Sequence, residues 1–142
     1  MTYFIATDHA GFNLKSHVKE YLAQKGHEVV DLGCDSNARV DYPDYAHLLC
    51  ERVLATQNSA GILICGTGIG MSMSANRHKG IRAALCHDSY TARLSRMHND
   101  ANVLCMGERV VGIGVVDSIL DAFMESSFEG GRHLCRIGKI EE

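Results

Sequence analysis

Short apolar segments alternate with longer amphipathic segments along the whole chain, and this alternation limits the folds that the chain can adopt. The short segments have the length and composition of β-strands, and the longer ones repeat their apolar residues at helical spacing. One segment, Ala60–Cys65, is wholly apolar, which is typical of a strand buried on both faces. Strands that alternate with helices form a parallel sheet covered on both sides. The pattern therefore predicts an α/β fold with five parallel strands.

The predicted elements follow one another without an internal repeat, a low-complexity tract or a linker. A chain of 142 residues has the size of one domain, so we expect a single domain over residues 1–142. The segment from Phe128 carries Gly130-Gly131 and then two arginines, and we expect a docked C-terminal arm there. The predicted strands cover residues 3–7, 28–32, 60–65, 81–86 and 102–106, and the predicted helices cover residues 12–25, 43–56, 69–78, 89–97 and 111–126.

Composition argues against several classes of protein. The net charge of -3 provides no basic surface, so we expect no nucleic-acid partner. The N-terminus lacks a basic leader, and no apolar run reaches the roughly 18 residues of a membrane span, so we expect a cytoplasmic protein without a membrane partner. The six cysteines include no C-x-x-C pair, which favours reduced thiols over a zinc site or a disulfide framework.

The segment Cys65-Gly66-Thr67-Gly68-Ile69-Gly70-Met71-Ser72 is the strongest candidate for a functional loop. It follows the buried strand and begins a helix, and its three glycines let the backbone approach a ligand closely. The loop amides and the helix dipole favour an anion, such as a phosphate or an enediolate oxygen. The same field favours the thiolate form of Cys65.

Known phosphate-binding loops do not match this segment. A Rossmann loop needs a different glycine spacing after the first strand, and a Walker loop needs a G-K-[ST] ending. Met71 stands where a C-x5-R phosphatase loop has its arginine. The alternative interpretation is a tight turn between strand and helix that holds an inert, buried cysteine.

Other polar residues at segment ends have both a functional and a structural interpretation. Asp8 and His9 could exchange protons with a sugar ring oxygen and its anomeric hydroxyl, or Asp8 could cap the next helix. His98 could be a general acid or base with Asn99 as a hydrogen-bond donor, or both could lie on a polar surface.

The arginines and the aromatic residue before Pro43 are equally open to two interpretations. Arg132 and Arg136 are four positions apart and could bind a phosphate together with Arg109, or they could belong to a solvated tail. Tyr42 could form a wall of a sugar site or simply precede a helix. Five histidines lie in polar stretches and are expected to be exposed: His17, His27, His47, His78 and His133.

Seven segments, spread over nearly the whole chain, carry a resemblance to a known family. They are Asp8-His9-Ala10-Gly11, Asp41-Tyr42-Pro43, Cys65 to Ser72, Gly80-Ile81-Arg82-Ala83, Ser95-Arg96-Met97-His98-Asn99-Asp100, Gly107-Glu108-Arg109-Val110-Val111-Gly112 and Glu129-Gly130-Gly131-Arg132-His133. In this order they resemble ribose-5-phosphate isomerase type B and the wider family that contains the galactose-6-phosphate isomerase subunits. The resemblance implies a Rossmann-like three-layer α/β/α sandwich and an aldose–ketose isomerisation without a metal or a cofactor.

The resemblance further implies a substrate, an assembly and a pathway. The substrate would be ribose 5-phosphate, converted to ribulose 5-phosphate in the non-oxidative branch of the pentose phosphate pathway. The alternatives are a six-carbon sugar phosphate, such as allose 6-phosphate or galactose 6-phosphate, and a non-catalytic nucleotide-binding module. The assembly would be a homodimer, or a tetramer made of two dimers, with active sites between subunits.

The resemblance also assigns roles to individual residues. Cys65 would move the proton between C1 and C2, since Ile69 and Met71 leave no acid in the loop to do so. His98, with Asp8 nearby, would open the furanose ring. The cis-enediolate would be held by Gly66, Thr67, Gly68, Ile69 and Gly70, the phosphate by His9, Arg109, Arg132 and Arg136, and a sugar oxygen by Asn99.

Overall fold

The computed structural model describes residues Met1–Glu142 as five strands and six helices. The strands are β1 (Thr2–Thr7), β2 (Glu28–Asp31), β3 (Ser59–Cys65), β4 (Ala83–Leu85) and β5 (Val103–Gly107). The helices are α1 (Phe12–Gln24), α2 (Tyr42–Ala55), α3 (Ile69–Ala75), α4 (Ser89–Asn99), α5 (Ile113–Glu125) and α6 (Arg132–Gly138). None of these helices combines the length and the apolar character that crossing a membrane requires.

All five strands are parallel and form one sheet in the order β2-β1-β3-β5-β4. The wholly apolar strand β3 lies at the centre, where Ile62 pairs with Ile5 of β1 and with Leu104 of β5. All three side chains are fully buried, as expected for strands covered on both faces. The predicted five-stranded parallel sheet is confirmed.

Helices cover both faces of the sheet and create two apolar layers. Side chains alternate across a strand, so Ile62 and Ile64 point into one layer, whereas Leu63 and Cys65 point into the other. The first layer holds 18 buried residues and includes side chains of α1, α4 and α5. The second holds 13 buried residues and includes side chains of α2 and α3. The three-layer α/β/α sandwich is thereby confirmed.

The observed bounds differ from the predicted ones mainly at the edge strand and in the tail. The predicted strand 81–86 shortens to Ala83–Leu85, because the amide of Arg82 donates to the side chain of Asn102 rather than to a neighbouring strand. The C-terminal arm contains the short helix α6, which the sequence pattern did not resolve as a separate element. This helix packs against α4 through the stacked rings of His98 and His133.

The strand order creates a crevice between β1 and β3. From β1 the chain continues outward to β2, and it then crosses back to β3 on the other side of β1. The loops that follow β1 and β3 therefore leave the sheet in divergent directions at its carboxyl edge. Asp8 begins one of these loops and Gly66 begins the other.

Candidate active site

A cavity of about 420 Å³ lies at the carboxyl ends of β1 and β3. It brings together nine residues that the sequence analysis selected: Asp8, His9, Tyr42, Cys65, Gly66, Thr67, Ile69, Gly70 and Arg109. Ala10 and Met73 line it as well and were not predicted. Met73 lies one helical turn beyond Ile69 on α3, and this spacing could have predicted that both side chains line the cavity.

Cys65 is the last residue of β3, and its side chain lines this cavity. The residue is only 5% exposed, and its Sγ accepts a hydrogen bond from the amide of Gly68 at 3.1 Å. Gly68 adopts a left-handed conformation with φ 79°, and a Cβ there would lie 2.6 Å from Cδ1 of Leu85. Glycine is therefore required for the turn that aims this amide at the sulfur.

The end of β5 holds the glycine-rich loop in place. The amide of Glu108 donates to the carbonyl of Cys65, and the amide of Arg109 donates to the carbonyl of Gly66, each at 3.0 Å. A Cβ at Gly107 would lie 2.6 Å from the backbone of Thr67, so the two chains touch directly. The loop is consequently fixed on both sides by backbone contacts.

Thr67 presents a hydroxyl group at the cavity. Its Oγ1 accepts a hydrogen bond from the amide of Ile69 at 3.2 Å. The hydroxyl proton remains available to a ligand, because a hydroxyl can donate while it accepts. Thr67 and the amides near it thus provide donors beside the sulfur of Cys65.

Asp8 combines a structural role with a place at the cavity. Its Oδ1 accepts hydrogen bonds from the amides of Ala10 and Gly11, at 2.9 and 3.1 Å, so it does shape the start of α1. The residue is 6% exposed and lines the cavity. One oxygen is used by the turn, and Oδ2 is the oxygen left for a ligand.

Cationic and aromatic side chains complete the cavity wall. The guanidinium of Arg109 packs against Gly66, where a Cβ would lie 3.2 Å from Nη1. His9 accepts a hydrogen bond from the amide of Val40 through Nδ1, which places its proton on Nε2 and makes that nitrogen a donor. The ring of Tyr42 packs directly on Gly70, whose Cβ would lie 2.4 Å from Cε1 of the ring. The wall therefore offers positive charge and donors to an anion.

The remaining predicted polar site residues lie at the opposite edge of the sheet. Helix α4 runs back from the carboxyl edge and ends at Asn99, immediately before β5 begins. The carbonyl of Asn99 accepts a hydrogen bond from Nε of Arg82, which precedes β4, at 2.9 Å. His98 and Asp8 of one chain therefore lie at opposite edges of the sheet. Arg132 and Arg136 lie on α6, which packs against α4 at this same edge.

Around His98 the structure shows two partners that the sequence analysis did not assign. Nε2 of His98 lies 3.2 Å from Oε1 of Glu129. The ring of His133 stacks on the ring of His98, with centroids 4.3 Å apart and planes inclined by 14°. His133 is 6% exposed, so the expectation that it is solvent-exposed is wrong. The sequence feature that could have indicated a site role for His133 is its position directly after Arg132, in a segment that also contains Glu129.

These three residues have the side-chain types of a metal site, with ligand atoms within 4.8 Å of one another. Their geometry is unsuited to a shared ion. An imidazole lone pair lies in the plane of its ring, and two nearly parallel stacked rings cannot both direct a lone pair at one ion. The arrangement is instead a stacked pair of imidazole rings with a carboxylate 3.2 Å from one of them.

Comparison with known proteins gives a consistent result. A family model described as Ribose/Galactose Isomerase matches residues 3–140. Ribose-5-phosphate isomerase B of Escherichia coli is 47% identical over 133 residues, which cover 94% of this chain and 89% of that protein.

Solved structures with the same architecture are similar over nearly their full length. Ribose-5-phosphate isomerase B of Clostridium thermocellum superimposes with a TM-score of 0.96 at 48% identity, covering 99% of this chain and 95% of that one. Type B ribose 5-phosphate isomerase of Trypanosoma brucei gives a TM-score of 0.95 at 45% identity, covering 99% and 96%.

Proposed function

The chain belongs to the ribose/galactose isomerase family, and from this premise we propose that it interconverts ribose 5-phosphate and ribulose 5-phosphate. The observation that carries the proposal is the sulfur of Cys65, which contacts the amide of Gly68 in a cavity shared with Thr67 and Arg109. A base, oxyanion donors and a cation for phosphate are the groups that such a reaction needs.

Cys65 acts as the base in this mechanism. Its thiolate removes the proton from C2 of the open-chain aldose and returns it to C1, while the hydroxyl proton on O2 passes to O1, which converts the aldose into the ketose without net change in protons. The negative charge that develops on the cis-enediolate is stabilised by the hydroxyl of Thr67 and by loop amides at the start of α3. These donors are already oriented by the contacts of β5, so little reorganisation accompanies the reaction.

The phosphate group anchors the substrate away from the reacting carbons. His9 and Arg109 supply a donor and a positive charge within the chain. Binding energy from this end of the substrate orients the reacting carbons toward Cys65. Tyr42 and Gly70 border the space that the sugar would occupy.

We further propose that the active site is completed by a second copy of the chain, in a homodimer or a dimer of dimers. His98, Asn99, Arg132 and Arg136 lie at the amino edge of the sheet, far from the cavity of their own chain. A second copy that presents this edge to the cavity would supply ring opening, a sugar contact and two further phosphate ligands. The apolar rim of the cavity, where Ile69 and Met73 are 45% and 60% exposed, suits such a contact.

This activity would place the protein in the non-oxidative branch of the pentose phosphate pathway. The six free cysteines support a reducing compartment such as the cytoplasm. Neither placement affects the chemistry of the site.

The test is a direct assay of ketose formation from ribose 5-phosphate with wild-type protein and Cys65→Ala. We expect the variant to remain folded and to lose nearly all turnover, because no other base lies in the loop. Cys50→Ala is the matched control, since it removes a sulfur buried in α2 outside the cavity and should leave turnover close to normal. Near-normal turnover of Cys65→Ala would remove the thiolate mechanism.

The same assay separates the two candidate substrate classes. We expect a higher kcat/KM for ribose 5-phosphate than for allose 6-phosphate or galactose 6-phosphate, in line with the names of the similar proteins. A higher value for a six-carbon substrate would assign the protein to the alternative function within the same family.

A further inference from the structure

Glu129 and His133 enclose the ring of His98 on two sides. Oε1 of Glu129 lies 3.2 Å from Nε2, and the ring of His133 covers one face of the imidazole. The amide of Glu129 donates to the carbonyl of Met97 at 3.0 Å, which attaches the segment before α6 to the end of α4. These contacts restrict the rotation of a side chain that is 36% exposed.

The two histidines are electrostatically different. Burial, the positive charge of Arg132 and the neighbouring His98 lower the pKa of His133, in that order of importance. Protonation of His133 is therefore disfavoured, which reduces repulsion across the stack when His98 carries a proton. Nε2 of His133 is buried and has no hydrogen-bond partner within the chain, so the contact of His133 with His98 is the stacking of the two rings.

We propose that Glu129 and His133 are positioning residues that hold the imidazole of His98 in one orientation and one tautomer for opening the sugar ring. This inference rests on the proposed function and on the shared active site. The carboxylate at 3.2 Å favours the proton on Nε2, and the lone pair is then left on Nδ1. His98 itself is the residue that meets the substrate.

Ring opening needs this arrangement because it moves protons at two oxygens. The bond between C1 and the ring oxygen breaks, the anomeric hydroxyl loses a proton, and the ring oxygen gains one. Nδ1 of His98 accepts the first proton, and the imidazolium then delivers a proton to the ring oxygen, so none is gained or lost overall. The charge of Glu129 stabilises the imidazolium while it exists.

The two directions of the reaction provide a readout that a purely structural role would not give. Ribose 5-phosphate is a furanose that must be opened before C2 can react. Ribulose 5-phosphate cannot form a furanose ring, because its O5 carries the phosphate, so its conversion to the open-chain aldehyde does not require ring opening. A variant impaired only in ring opening should therefore be slow with ribose 5-phosphate and nearly normal with ribulose 5-phosphate.

The experiment measures kcat and KM in both directions for Glu129→Gln, Glu129→Asp and His133→Phe. We expect Glu129→Gln to lower kcat with ribose 5-phosphate by roughly 10- to 100-fold and to leave kcat with ribulose 5-phosphate within about twofold. Glu129→Asp keeps the charge and should recover part of the loss. His133→Phe keeps a stacked ring and should retain most activity. Glu125→Gln removes the same charge from an exposed position at the end of α5 and serves as the control.

Each outcome decides the proposal. Equal losses in both directions for Glu129→Gln would show that Glu129 only supports the local structure, and no loss in either direction would show that it has no role, so either result would overturn the inference. Absence of turnover in the wild-type protein, or normal turnover of Cys65→Ala, would instead count against the proposed function.

Discussion

The immediate surroundings of each cysteine determine which of the six thiols can react. Cys65 belongs to the apolar layer beneath α2 and α3, yet its sulfur also lines the cavity and contacts an amide. Burial raises the pKa of Cys50 to about 12 and also raises the pKa of Cys86 and Cys105. The sequence singled out Cys65 because glycines follow the buried strand there. It could not show that Cys135 on α6 is exposed, because that depends on which side of α6 faces α4.

These differences predict the order in which the native protein reacts with iodoacetamide at about pH 8. Cys135 should be alkylated first because it is exposed, and Cys65 should follow because it alone combines access from the cavity with an amide donor. Cys50, Cys86 and Cys105 should stay unmodified, because their raised pKa values and burial keep them as protonated, shielded thiols. Peptide mass spectrometry at increasing reaction times measures this order.

The Cys135→Ser variant isolates the slower reaction. In this background, ribose 5-phosphate should slow the alkylation of Cys65, because the substrate occupies the same cavity. Modification of Cys105 before Cys65, or a rate at Cys65 that ignores the substrate, would contradict the assignment of the thiol.

At the scale of elements, the apolar pattern predicted every strand and the helices α1 to α5, because each has a buried face that repeats at its own period. The pattern was less accurate where side chains rather than burial decide the end of an element. Asn102 captures the amide of Arg82 and thereby shortens β4. Helix α6 follows Gly131, whose φ is 57°, and has one buried residue, so it carries no apolar periodicity that a sequence could reveal.

One ion cluster connects α1 with β2. Nζ of Lys15 lies 3.1 Å from Oδ1 of Asp31 and also bonds the carbonyl of Cys34, although Lys15 is 4% exposed. Burial opposes ionisation of Asp31, but hydrogen bonds from Lys19, the amide of Gly33 and Lys15 outweigh it and lower the pKa of the carboxyl group. The carboxylate therefore stabilises a buried ammonium group.

We expect Asp31→Asn to lower the free energy of unfolding by about 2 kcal/mol near neutral pH, since it leaves the charge of Lys15 without its anion in a partly solvated site. The folded pKa of Asp31 is lower than the unfolded value near 3.8, so its stabilisation is fully present above that value. It is lost as the pH falls through the folded pKa. The measurement is urea unfolding of both proteins at neutral and acidic pH.

Asp35 is exposed, so Asp35→Asn is the control for the removal of one negative charge and should change the free energy of unfolding little. The difference between Asp31→Asn and the wild type should shrink at acidic pH. A difference that stays constant from neutral to acidic pH would show that packing, and not the ion cluster, causes the loss.

For the whole molecule, the strand order explains which part of the site the sequence could predict. Asp8 follows β1 and Cys65 ends β3, and the rule that ligands bind at the carboxyl edge correctly brought them together. His98 lies in the last turn of α4, just before β5, so the same topology places it at the amino edge. Asp8, Cys65 and His98 were all predicted as site residues because their side chains suit the chemistry. Only the order of strands and helices shows that His98 lies apart from the other two within one chain.

A site shared between copies predicts that two variants that are inactive with ribose 5-phosphate restore each other's turnover of this substrate. In a dimer of Cys65→Ala with His98→Ala, one site contains both altered residues, and the other contains an intact Cys65 from one copy and an intact His98 from the other. Two different affinity tags would allow such mixed dimers to be purified after co-expression. We expect about half of the wild-type turnover per dimer, because one of the two equivalent sites is intact.

A mixed dimer of Cys65→Ala with the Cys65→Ala/His98→Ala double variant lacks every intact site and should stay inactive. The shared site would be refuted by mixed dimers of the two single variants that are as inactive as this control, or by a chain that does not copurify with a second copy at all.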